Sequence, residues 1–356
     1  MNEIIANLHL HTRISDGQGT YSDLVREALQ SEVDVVIAAD HNVRVRHLEG
    51  YYTNGKRKVL LLTGEELHRM NAPQSENHLL VYGCPQEMAN SGFDLPSLVQ
   101  AIHKAGGVAV MAHPFDVSAP LFEAPAIPWN AGVVEGMDGI EIWNILTSYK
   151  EYAQKRSSAR QVLLDPNLAL VEASQAALSF WDQRLAEGKR FFAIAGSDAH
   201  HEPLRMGMIK RTFLSYGSSF KALNTHLLLS NPLRGDFSAD RDLVLSAVCE
   251  GRSFIGLDAA ASTCGFRFTI QTNTHTASIG DEITLQRSGT LQVRIPQVCD
   301  GSVICNGEVI YRWKRQEAAA VTITQPGAYR VECRITQDNR SLGWIYSNPI
   351  YVKRRA

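Results

Sequence analysis

The chain has 356 residues, 44% of them hydrophobic and 20% charged, with a formal net charge of -2. That is the balance of an ordinary globular protein, without the basic excess that neutralises a nucleic-acid backbone, so nucleic acid is expected at most as a small nucleotide substrate. No apolar run approaches the roughly 18 residues that span a bilayer, and the first motif follows Met1 too closely for a signal peptide, so a cytoplasmic protein without a membrane partner is expected.

Up to about residue 200, short apolar runs alternate with helical patterns, which predicts strand-helix units around a parallel sheet or barrel. Strands are predicted over residues 4–8, 33–38, 59–62, 78–82, 108–111, 139–143 and 191–194. A helix over 21–30 keeps Leu24, Ala28 and Leu29 on one face, and a second over 95–105 ends at Gly106-Gly107. A Pro- and Ala-rich stretch (118–130) and a long helical segment (149–189) interrupt the rhythm; insertions at barrel-strand ends often wall a pocket.

At this length a single core usually stops growing, so two domains are expected. A helix over 239–250 leads to a change of texture near residue 260, after which short alternating strands follow, with turns at Asn306-Gly307 and Pro326-Gly327. The division expected is a barrel over 1–258 and a small β-sandwich of immunoglobulin-like type over 262–356. The six cysteines (84, 249, 264, 299, 305 and 333) show no compact ligand spacing and are expected to be reduced thiols.

The chemistry lies at the strand ends. His9 and His11 are alternate residues just past the first strand, so both imidazoles can face one ion. One such pair among twelve histidines is weak evidence, but the pattern recurs. Asp16 follows in Ser15-Asp16-Gly17, and Asp40-His41-Asn42 ends the second strand. Gly64-Glu65-Glu66 ends the third and His78 opens the next, while Ala112-His113-Pro114 and Gly196-Ser197-Asp198-Ala199-His200 end two more. In a parallel barrel these ends meet on one rim.

In the order HxH, SDG, DHN, GxE, AHP and GSDAH, over roughly residues 1–258, the sequence resembles the PHP (polymerase and histidinol phosphatase) superfamily of metal-dependent hydrolases. Ile140-Glu141-Ile142-Trp143-Asn144, Gly251-Arg252-Ser253-Phe254 and the stretch 346–352 are similar to a carbaryl-hydrolase-type (CehA/McbA-like) branch. The resemblance implies a distorted (β/α)7 barrel and two to three divalent transition-metal ions, zinc, manganese or iron. It implies one ion on His9, His11, Glu66 and Asp198, a second on Glu66, His78 and His113, and a third on Asp16, His41 and His200. The G-x-E spacing assigns Glu66 rather than Glu65 as the bridge; the two should face opposite ways. Asp40, Glu141 and Asn144 are read as partners that orient a ligand histidine or touch substrate.

The function expected is a phosphoesterase that hydrolyses a small phosphomonoester or phosphodiester through a metal-bound hydroxide at a trinuclear site, with Asp198, Asp40 and Arg13 in catalytic roles. A carboxylic ester or carbamate hydrolase using the same site is the alternative, and a non-catalytic binding module of PHP type a further one. The substrate partner expected is a small anionic molecule, held by Arg13 and by Arg205, Lys210 or Arg211. His201 is a candidate proton donor to a leaving group, whereas His47, His68, His103, His226 and His275 are read as structural or exposed. The sequence leaves the oligomeric state open.

Overall fold

The computed structural model describes residues 1–68, 76–92, 94–132, 135–206 and 209–354, with the side chains of 204–211 outside the description. Among these, the chain is mixed α/β, as expected, with strands in a fourteen-stranded sheet, a five-stranded sheet and a two-stranded ribbon.

Asn2–Asn7 runs parallel to Val35–Ala38, which runs parallel to Arg57–Thr63. Val35–Ala38 is buried at every position, as befits a strand covered on both faces. In the five-stranded sheet Val108–Met111, Gly139–Asn144 and Phe192–Gly196 are parallel. The two sheets meet at their carboxyl ends through isolated bridges between Leu10 and Ala199 and between His41 and Glu66. Thus the ends carrying the motifs face one another across one rim.

The predicted helices form where the caps are. Thr20 and Asp23 make a capping box that opens Tyr21–Leu29, and Asp94 with Ser97 does the same for Leu95–Lys104. The segment 149–189 resolves into three helices with bounds Ile145–Tyr152, Arg156–Leu164 and Gln175–Ala186. Strands Gly50–Asn54 and Asn224–Leu229, which the apolar pattern does not announce, pair at the flanks of the first parallel run.

The C-terminal strands are longer than expected. The runs near 291 and 303 belong to one strand, Gly289–Cys305, whose register shifts between Arg294 and Cys299. Pro296, which has no N–H to give a ladder, lies inside that irregular stretch. Asn306 and Gly307, both at positive φ, turn the chain back into Glu308–Ile323, the geometry that fits a two-residue hairpin.

Hydrogen bonding crosses the expected boundary near residue 260. Ser253–Gly256 pairs with Asn224–Leu229 on one side and with Arg340–Ser347 on the other, so the fourteen-stranded sheet runs from the first strand into the C-terminal strands. Asn348 reinforces the seam: it accepts from Ala193 N at 2.7 Å and donates to Ala193 O and Ser253 Oγ, both at 2.8 Å.

Candidate metal centre

Two loops interlock at the rim. Asp198 N donates to His9 O at 3.0 Å, His11 N to Ala199 O at 3.1 Å, and Gln18 N to His200 O at 2.7 Å, so the HxH, SDG and GSDAH segments form one unit. A Cβ on Gly196 would lie 1.8 Å from Glu141 Oε1 and 2.7 Å from His9 Cβ, so glycine is required where the last strand passes behind the first histidine. His113 and Asp198 hold positive φ (27° and 52°), as does Asn42 beside His41. Such backbone costs about 1 kcal/mol or more each and accumulates where geometry serves a site.

Glu66 is the centre. It is wholly buried, and its Oε1 lies 2.9 Å from both His78 Nδ1 and His113 Nε2. Its Oε2 lies 3.0 Å from His11 Nε2, 3.2 Å from His9 Nε2 and 3.3 Å from His41 Nδ1, yet accepts no aligned hydrogen bond among the described residues. One carboxylate oxygen therefore faces two imidazoles and the other faces three. Glu65 points the other way and accepts from Met88 N at 3.0 and 3.1 Å, so of the two only Glu66 faces the imidazoles. Burial pushes the Glu65 carboxyl up to about 7.

His9 Nε2, His11 Nε2, Glu66 Oε2 and Asp198 Oδ1 converge. The His9–His11 separation is 3.1 Å, and Asp198 Oδ1 lies 3.2 Å from His11 and 3.6 Å from His9. Donors around a tetrahedral ion with bonds near 2.0–2.1 Å lie about 3.3 Å apart, so these spacings fit one divalent ion. Two imidazole nitrogens beside two carboxylate oxygens are donor types that suit a divalent cation. Asp16, His41 and His200 also converge: Asp16 lies 3.4 Å from His41 Nε2 and 3.3 Å from His200 Nε2, with His11 Nδ1 at 3.7 Å. His41, Glu66 and His78 form a further compact group, and His78 and His113 both reach Glu66 Oε1. All nine ligands expected from sequence are thereby brought together.

The electrostatics agree. Burial alone would lower the His11 imidazole, but Asp198 and Glu66 hold it up to about 10; His113 rises against burial to about 9, with Glu66 the main cause. Burial would raise Glu66, yet His9, His78 and His41 hold it well below the usual carboxylate range.

Glu141 touches two of the candidate histidines. Its Oε1 accepts from His9 Nδ1 at 2.9 Å, which directs Nε2 toward Glu66, and its Oε2 accepts from His113 N at 2.8 Å. Asn144 caps the helix Ile145–Tyr152 through Oδ1, so its Nδ2 is the group facing Glu141 Oε2 at 2.9 Å and Asp198 Oδ2 at 3.4 Å.

One expectation requires correction. Asp40 does not orient an imidazole: its carboxylate accepts from Thr12 N, the hydroxyls of Thr12 and Ser15, and Tyr21 OH, behind the loop that carries Asp16. His201 packs on Tyr216, with ring centroids 4.7 Å apart, and lies 3.7 Å from Glu27. His68, set aside as structural, stands at the cluster, its ring centroid 5.2 Å from those of both His41 and His78. Its signal was available, since residues two apart on a strand share a face and Glu66 precedes it by two. Arg13 is exposed on the same loop, its N–H fixed to Gly19 O at 2.9 Å. The side chains of Arg205, Lys210 and Arg211 lie outside the described residues.

Among solved structures, the chain is similar to a two-domain protein from Bacteroides vulgatus ATCC 8482 described as containing a predicted PHP-like metal-dependent phosphoesterase. Identity is 13%, the match covers 97% of this chain and 95% of that one, and the TM-score is 0.43. A protein from Bifidobacterium adolescentis ATCC 15703 described as a "putative metal-dependent phosphoesterase" is 15% identical, with 58% and 92% covered and a TM-score of 0.29. An amidohydrolase from Chromobacterium violaceum, with sulfate bound and no metal, is 16% identical, with 55% and 87% covered and a TM-score of 0.28. No family model matches the chain, and no curated protein matches it.

Proposed function

We propose that the protein is a metal-dependent phosphoesterase acting on a small phosphomonoester or phosphodiester, and that its parallel strands are the distorted barrel of the PHP type with a β-sandwich after residue 262. The observation that carries this reading is Glu66, whose two oxygens address separate sets of imidazoles.

His9, His11, Glu66 and Asp198 would hold one ion, Glu66, His78 and His113 a second, and Asp16, His41 and His200 a third. Divalent ions in such a set acidify water toward neutrality and stabilise negative charge on a phosphoryl or carbonyl oxygen. The chain's own residues supply the rest. Glu141 and Asn144 fix the rotamers of His9 and Asp198, and the interlocked loops hold the donors in place before substrate arrives. Arg13, exposed two residues beyond His11, is assigned the peripheral oxygens of the phosphate, which a guanidinium binds in a fork. Retaining so many buried acids and imidazoles without ions would cost stability, which disfavours a purely scaffolding role.

One observation favours a second reading. Phe122, 42% exposed, stacks on Phe213, which also packs on Tyr149. These residues stand on segments that follow His113, His200 and Asn144 in the chain, and an aromatic cluster of this kind suits a carboxylic ester or carbamate with an apolar leaving group.

The test compares kcat/KM for p-nitrophenyl phosphate, bis-p-nitrophenyl phosphate and p-nitrophenyl acetate at matched metal occupancy, in the parent and in Arg13→Ala. Phosphoester chemistry predicts a loss of about tenfold or more on the phosphates, near 1.4 kcal/mol, and little loss on the acetate. If acetate is the best substrate and all three respond equally, the ester or carbamate reading replaces it.

A further inference from the structure

The nine donors are not held alike. Those around Glu66 sit at strand ends and are buried, with His9, His11 and Glu66 at 0% exposure and His78, His113 and Asp198 at 3 to 6%. Asp16 stands on a turn, its side chain 54% exposed.

That turn is tied down from beneath. Ser15 N and Gly17 N donate to Thr12 O at 3.1 and 3.0 Å, which closes it. A Cβ on Gly17 would lie 2.5 Å from His11 O, so the turn can lie flat on the HxH segment only with glycine there. Its anchor is Asp40, wholly buried, which accepts from Thr12 N at 2.7 Å, from Thr12 Oγ1 at 2.9 and 3.0 Å and from Ser15 Oγ at 2.9 Å. Tyr21 OH completes the set at 2.9 Å. Burial and the Asp40 charge raise the Tyr21 phenol, so it stays a donor. Asp40 immediately precedes His41, so one backbone step couples the anchor of Asp16 to the histidine that Asp16 faces.

Resting on the trinuclear reading above, we propose that the turn at residues 12–17 is a latch that builds the third metal position, with Asp40 as its positioning residue. The position on Asp16, His41 and His200 then loads and empties separately from the pair on Glu66. Buried donors fixed by strands are preformed. An exposed aspartate on a turn is preformed only while its anchor holds, so weakening Asp40 weakens one position and spares the other two.

The experiment is calorimetric titration of the chelator-stripped chain with Zn2+, together with elemental analysis after dialysis at limiting Zn2+. The parent is expected to bind three ions per chain. Asp40→Asn, which keeps one acceptor and loses another, is expected to lower affinity at one position by about tenfold or more and to retain two ions after dialysis, with the other two binding events unchanged. Tyr21→Phe and Ser15→Ala, each removing a single bond to Asp40, are expected to weaken the same event by a smaller factor; they carry the test if Asp40→Asn fails to fold. Three ions at parental affinity in all three variants overturns the latch, and so does uniform weakening of every event. A parent that binds two ions or fewer instead removes the trinuclear reading on which the latch stands.

Discussion

At the scale of single residues, the pair Glu65-Glu66 puts the site to its sharpest test, because the two side chains share chemistry and differ in direction. Glu66→Gln removes charge from an oxygen pair that faces five imidazoles, so kcat/KM is expected to fall by more than about 100-fold with metal lost. Glu65→Gln, which still accepts from Met88 N, is expected to stay within a few-fold of the parent. Equal losses in the two variants, measured with the fold verified by circular dichroism, would reverse the assignment. Most of the donor set is legible in the sequence, because His9, His11, His41, His113, Asp198 and His200 each stand where an apolar run stops. Asp40 is misread for a physical reason: adjacency to His41 suggests a hydrogen bond to that ring, whereas the buried N–H of Thr12 competes for the same carboxylate and wins.

At the scale of elements, the last parallel strand of the five-stranded sheet, Phe192–Gly196, must pass Glu141 at a distance that admits no side chain. Gly196→Ala is therefore expected to push Glu141 from His9 and lower activity by about 10- to 100-fold, the range for losing a partner that orients a ligand, while Glu141→Gln falls in the same range through the weakened bond to His9 Nδ1. Parental activity in both variants would show that His9 needs no such support. Strand positions are legible where apolar runs are continuous, as in Val108–Met111, which is buried throughout. Gly50–Asn54 is hidden because it pairs on one side only and its residues are half-buried or exposed, so no apolar pattern marks it.

At the scale of the molecule, the expected two-domain division meets a continuous sheet, and the pairing that joins Ser253–Gly256 to Arg340–Ser347 spans about ninety residues that no local pattern records. His226 sits wholly buried at that seam, its Nδ1 3.0 Å from Glu3 and its Nε2 3.1 Å from Asp258. Burial would lower its pKa, but the bonds to Asp258 and Glu3 hold it well above the ordinary value. A raised histidine contributes fully below its unfolded pKa, about 6.5, and loses that contribution as pH rises through the folded value. Glu3 and Asp258 are lowered despite burial, so their contribution is lost instead as pH falls through their folded values. His226→Gln, which removes the cation that Glu3 and Asp258 share, is expected to cost about 3 kcal/mol or more near pH 6, with the gap from the parent narrowing toward pH 9. Urea unfolding at both pH values checks this, and a gap that widens with pH would contradict it. The central claim is the metal cluster itself, and anomalous diffraction from crystals grown with saturating Mn2+ or Zn2+ addresses it most directly. The expected result is three anomalous peaks: one among His9, His11, Glu66 and Asp198, one between Glu66, His78 and His113, and one among Asp16, His41 and His200. A map with no anomalous density beside either oxygen of Glu66 would contradict it.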